Sequence, residues 1–107
     1  MARFVRQIAF TSGDQRRLAV RPAHRQQLQQ LHAQGRLVMA GPWAEDDGAL
    51  LVYEVADESE MQELISQDPY TAAGVVEEVS LRRWVPILPA SPATRRIIGC
   101  QLVDCLL

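Results

Sequence analysis

Lysine and asparagine are both missing from this chain, and all eleven of its basic residues are arginine. Without lysine there is no Schiff-base nucleophile and no P-loop cation. Without asparagine there is no N-glycosylation sequon. Cysteine is scarce: Cys100 and Cys105 stand close together near the C-terminal end. That placement does not make a disulfide framework, and two ligands are too few for a zinc site, so no metal is expected. An excess of positive charge is also lacking. Thirteen acidic residues face eleven basic ones, giving a formal charge of −2, which excludes nucleic acid as an expected partner. The opening residues MARFVRQIAF break their apolar positions with charge, so neither a secretory h-region nor a membrane span is read there. A cytoplasmic protein with no membrane partner is expected.

What is present is enough for one domain. The chain has 107 residues, 48% of them hydrophobic and 22% charged, with six Gly and six Pro, a globular composition for a single small core. Residues 3 to 10 read as a half-buried strand, with Phe4, Ile8 and Phe10 on one parity and Arg3, Val5, Gln7 and Ala9 on the other. Thr11, Ser12, Gly13 and Asp14 form a turn cluster. The firm part of a helix is expected from Pro22, which suits a first helical turn, to Gly35 as C-terminal cap. On it His24, Leu28 and Leu31 fall at i, i+4 and i+7, placing one histidine on the apolar face. Residues 36 to 41 and 49 to 55 read as a strand pair joined through Pro42 and an acidic loop. Asp57 and Glu60 have the spacing of a capping box for a second helix, which ends before Pro69. A short piece at 70 to 74 precedes a last strand over 75 to 85.

The order β-α-β-β-α-β predicts an α+β, ferredoxin-like fold: a four-stranded antiparallel sheet with two helices on one face. Val5 and Val76 are expected on the open face, which is then too apolar to leave wet, so two copies should pair through it or through edge strands. Residues 1–86 form the domain. Residues 87–107 form a C-terminal extension, Pro-rich and then apolar, that could add a strand, dock on a partner subunit or fray.

Several residues could carry chemistry. A histidine on a Leu-lined face is satisfied either by a backbone carbonyl or by a functional partner, and His32 beside Leu31 is given no role. Asp68 precedes Pro69, where it is either an ordinary turn starter or a site residue. Arg17 and Arg21, upstream of His24, could bind a carboxylate bidentately or be solvated. Gly41 and Pro42 serve a turn and could admit a ligand to the backbone. Tyr70 and Trp43 could line a pocket or pack in the core.

Two segments then resemble a known family. RRLAVRPAHRQQLQQLHAQGRLVMAGP, residues 16 to 42, and QDPYTAAGVVEEVSLRRW, residues 67 to 84, are similar to the YciI-like, or YCII-related domain, family of small bacterial proteins. The telling pieces are Arg17 and Arg21 leading to His24, the run from Gly35 to Pro42, and Asp68-Pro69-Tyr70 followed by Ala73-Gly74. The resemblance implies a dimer of the dimeric α/β barrel type and a pocket with a catalytic His-Asp pair, matched here by His24 and Asp68. It also implies relatives that include a dehydrochlorinase of a chlorinated hydroxyhydroquinone, with muconolactone isomerase alike in fold. The tail after Val85 departs from the usual ending.

With that pair, a cofactor-free lyase or isomerase acting on a small phenolic, lactone or carboxylate metabolite is expected. His24 would be the base, Asp68 its orienting partner, Arg17 and Arg21 anion contacts, and Gly41, Pro42 and Tyr70 further substrate contacts. The alternative is a non-catalytic dimeric module binding a small molecule or partner. A haem or oxygenase reading would need His24 as ligand and a larger apolar pocket.

Overall fold

The computed structural model describes residues 1–11 and 14–88. Ser12, Gly13 and the stretch holding Cys100 and Cys105 lie outside the described residues. The elements are β1 (Ala2–Phe10), α1 (Asp14–Ala33), β2 (Leu37–Pro42), β3 (Gly48–Val55), α2 (Glu58–Gln67), α3 (Pro69–Ala73) and β4 (Val76–Trp84). The four strands form one antiparallel sheet in the order β2-β3-β1-β4. This is the α+β ferredoxin-like arrangement.

Alternation along β1 sets the two faces of the sheet. Ala2, Phe4, Arg6 and Ile8 are buried, while Arg3, Val5, Gln7 and Ala9 are half-buried on the other side. On the helix side the core joins Phe4, Ile8, Leu51 and Val55 to Leu31 of α1 and to Met61, Leu64 and Ile65 of α2. Spacing of i, i+3 and i+4 gives α2 that single stripe. Its start realises the capping half of the box, with the Glu60 amide donating to Asp57 Oδ1 at 2.9 Å, while the Glu60 side chain reaches one residue further back, where the Ala56 amide donates to its Oε1 at 3.1 Å. Gly35 ends α1 with φ +78°, and the Arg36 amide reaches back to the Leu31 carbonyl at 2.9 Å, a left-handed cap that favours glycine. Gly48 is demanded by packing instead, because a Cβ there would lie 2.3 Å from the Ile8 carbonyl oxygen.

Two expectations are corrected. The first helix starts at Asp14, two turns before Pro22, which sits inside it. Proline removes one backbone donor and crowds the preceding turn, but tertiary contacts hold the residues before it. Arg17 is buried with its guanidinium 4.1 Å from the centre of the Phe10 ring, and Arg16 donates to the Ala73 carbonyl. The second correction concerns β4. Gln7 pairs with Ser80 and Ile8 with Glu78, so Val79 is an extra residue that reverses the parity of the strand. Val76 therefore packs against the core and not on the open face. Val5 does lie on that face, paired with Val52 and flanked by an Arg3–Glu54 ion pair at 3.1 Å.

Candidate active site

The junction of α2 and α3 makes the centre of the site. Asp68 closes α2 and opens α3, its extended backbone (φ −67°, ψ 123°) imposed in part by Pro69. Its Oδ1 accepts from the Tyr70 amide at 2.9 Å, an N-cap bond. The same Oδ1 lies 2.8 Å from His24 Nδ1. The turn-starter and site-residue readings of Asp68 are thus both realised in one carboxylate. By capping α3, Asp68 also sets Tyr70, whose ring stacks on His24 with centroids 3.7 Å apart and planes 7° from parallel. Phe10 meets Tyr70 edge to face at 6.2 Å.

Behind the pair lies a residue that the reading of the sequence passed over. Arg6 is wholly buried on the inner face of β1. Its Nε donates to Glu78 Oε1 at 2.9 Å and Oε2 at 3.1 Å. One terminal nitrogen donates to Asp68 Oδ2 at 2.8 Å and to the Tyr53 hydroxyl at 3.2 Å. The other donates to Thr71 Oγ1 at 3.2 Å and to Glu78. The five N–H donors of a guanidinium are thereby all used. The signal that could have found Arg6 is its parity, which it shares with Phe4 and Ile8. A charge at a core position of a strand needs a partner of opposite sign.

The charges follow from these contacts. Burial pushes the Asp68 carboxyl upward, but the His24 and Arg6 contacts outweigh it and hold the group below its ordinary range. Burial opposes the charge on Arg6, yet Glu78, Tyr53 and Asp68 raise its proton affinity above normal. The Tyr53 phenol is pushed up by burial against the opposing pull of Arg6.

His24 forms part of the wall of a cleft of about 200 Å³ between α1, α3 and strands β1, β2 and β3, with Asp46 of the β2–β3 turn at its rim. Arg17, Arg21, Tyr70, Gly41 and Pro42 line it as well, so six of the seven expected site residues share one space. Asp68 stands behind His24, out of the cleft. Trp43 does not line it and lies at the foot of Gly48. Arg17 approaches Asp46 of the turn at 3.9 Å. His32 is elsewhere, its Nδ1 on the Leu37 carbonyl at 2.9 Å.

Residues 2–85 match the model of the YCII-related domain. The chain belongs to the YCII-related domain family. Protein YciI of Escherichia coli O6:H1 is 40% identical to it over 78 residues, covering 64% of this chain and 80% of that protein. Protein YciI of Shigella flexneri matches to the same extent. Among solved structures, the fold is similar to the 5-chloro-2-hydroxyhydroquinone dehydrochlorinase of Burkholderia phenoliruptrix in complex with 2,5-dihydroxybenzoquinone. The TM-score is 0.66 and the identity 24%, over 79% of this chain and 94% of that one, a likeness of fold. Among the described residues of this YCII-related protein, no helix is long and apolar enough to cross a membrane. No group of three or more metal-ligating side chains gathers there either.

Proposed function

We propose that this protein is a cofactor-free lyase or isomerase that moves a proton on a small phenolic, lactone or carboxylate metabolite in the cytoplasm. The observation that carries the reading is the 2.8 Å contact between His24 Nδ1 and Asp68 Oδ1 at the wall of a cleft. A carboxylate on Nδ1 selects the tautomer with its proton there, which leaves Nε2 as the base and then stabilises the imidazolium. A positioned base of this kind contributes about 10² to 10⁴ in rate. Arg17 and Arg21 supply cationic donors for an anionic substrate, and Ile8, Phe10 and Tyr70 supply apolar and aromatic wall. The flat, oxygen-rich dihydroxybenzoquinone in the similar dehydrochlorinase is the kind of molecule such a cleft would take.

The domain is taken as residues 1–86 with 87–107 as an extension, and the working unit as a homodimer or higher homo-oligomer paired through the open sheet face that carries Val5 or through edge strands. Light scattering should then give at least about twice 12.0 kDa; a monomer at micromolar concentration refutes the pairing. The rival reading is a non-catalytic binding module, in which the Asp68 carboxylate between Arg6 and His24 ties the elements of the cleft wall together. The two readings part on a panel of chlorinated hydroxyhydroquinones, muconolactones and 2,5-dihydroxybenzoquinone. Turnover that falls about 10² to 10⁴ in His24→Gln supports the enzyme. Saturable binding without turnover, equal in the parent and in His24→Gln, supports the module.

A further inference from the structure

We propose that Arg6, clamped by Glu78, is the positioning residue of this site: it fixes which Asp68 oxygen faces His24 and limits how much of the carboxylate's charge the imidazole receives. The inference rests on the acid–base reading of His24 and Asp68. Arg6 does not line the cleft and is wholly buried, so it acts on the cleft through Asp68. The geometry divides the carboxylate cleanly. Oδ2 accepts from Arg6 at 2.8 Å, while Oδ1 serves His24 and the Tyr70 amide. With both oxygens engaged, rotation of the carboxylate would break bonds on two sides, and the Oδ1–Nδ1 line is held. A lysine could not reproduce this arrangement. It has the charge but not the planar fork that reaches Glu78, Tyr53, Thr71 and Asp68 together.

The second part is electrostatic. An isolated carboxylate on Nδ1 would favour the imidazolium and hold the base in its spent, protonated form. A guanidinium on the other oxygen draws that influence back, and Glu78 in turn draws back part of the influence of Arg6. The charged or titratable groups around His24 are Asp68 and Tyr70 from the α2–α3 junction, and Arg6, Tyr53 and Glu78 of the sheet. On the cleft side they are Arg17, Arg21 and Arg25 of α1, with Asp46 of the turn. Of these, Arg6 and Glu78 reach the imidazole through the carboxylate and do not line the cleft, which separates their effect from that of substrate contacts.

The test is the titration of the His24 ring followed by NMR through its carbon-bound ring protons, in the full chain with no ligand added. Arg6→Gln should raise the midpoint by about half a unit or more, and Glu78→Gln should lower it by less. The Glu78 side chain is 36% exposed, so Glu78→Gln keeps the test alive if Arg6→Gln does not fold. Opposite movements, or a fall in a folded Glu78→Gln alone, carry the proposal. A midpoint that stays put in folded Glu78→Gln, or that moves the same way in both variants, overturns it. Because this readout needs no substrate, its failure is distinct from a failure to find turnover. Where turnover is found, the acid limb of the rate profile should follow the same two directions, which a merely structural loss would not produce.

Discussion

His24 and His32 lie eight positions, about two turns, apart on one helix, and each is bonded through Nδ1 at almost the same distance. His32 meets the Leu37 carbonyl, five residues along, at 2.9 Å, whereas His24 meets a carboxylate 44 residues away at 2.8 Å. The carbonyl can orient a ring but carries no charge to share. The carboxylate also answers to a buried arginine, and its imidazole faces a cleft. Bond length and helical position therefore say little about what a histidine is for. The nature of the acceptor, and what stands behind it, separate a fastener of backbone from a group that can exchange protons with a guest.

The contrast can be broken most severely at Asp68. Asp68→Ala removes the acceptor for His24, Arg6 and the Tyr70 amide at once and leaves Glu78 as the remaining carboxylate on the buried Arg6, so a loss of about 3 kcal/mol is expected. Denaturant unfolding measures it, and a loss below about 1 kcal/mol would show that the network does not hold the fold. Acid is a gentler break at the same place. Asp68 is held below its ordinary value in the folded protein, so on acidification the unfolded chain takes up the proton first. Its stabilisation is complete above about pH 4, the ordinary range of an aspartate, and is lost as the pH falls through the lower folded value. Denaturation midpoints followed from pH 7 to pH 3 should fall, and should fall less steeply in Asp68→Asn.

The smallest effect is expected at the other histidine. His32→Ala should cost about 1 kcal/mol, the worth of one side-chain hydrogen bond, and leave any turnover found under the proposed function unchanged. Denaturant unfolding and the turnover assay on His32→Ala check it, and lost turnover in the folded variant would erase the distinction between the two rings.

The fold was legible where local chemistry and periodicity agree. Asp57 and Glu60 announce α2, Gly35 announces the end of α1, and the strand pair around Pro42 is where its composition places it. It was misread where tertiary packing overrides a local rule. Pro22 is a good first-turn residue, and nothing in the neighbouring sequence says that Arg17 will be anchored over Phe10 and carry the helix two turns upstream. A single extra residue at Val79 inverts a face, and simple alternation cannot display a bulge. In the candidate site, His24 and Asp68 carried recognisable local signals, but their meeting depends on separate elements. Arg6 stood in plain view at a core parity, and its meaning lay in partners at positions 68 and 78.

Those partners impose an order on the birth of the molecule. Within the domain Arg6 is made before both of its acidic partners, Asp68 following 62 residues later and Glu78 72 residues later. Until Asp68 is made the inner face of β1 holds a cation with no counter-charge, and the long loops from residue 6 to residues 68 and 78 must close before the reward of pairing arrives. The nascent chain is thereby discouraged from burying β1 early against the wrong partner. A fragment ending before β4 keeps Asp68 but lacks the strand beside β1 and Glu78, the second carboxylate on Arg6.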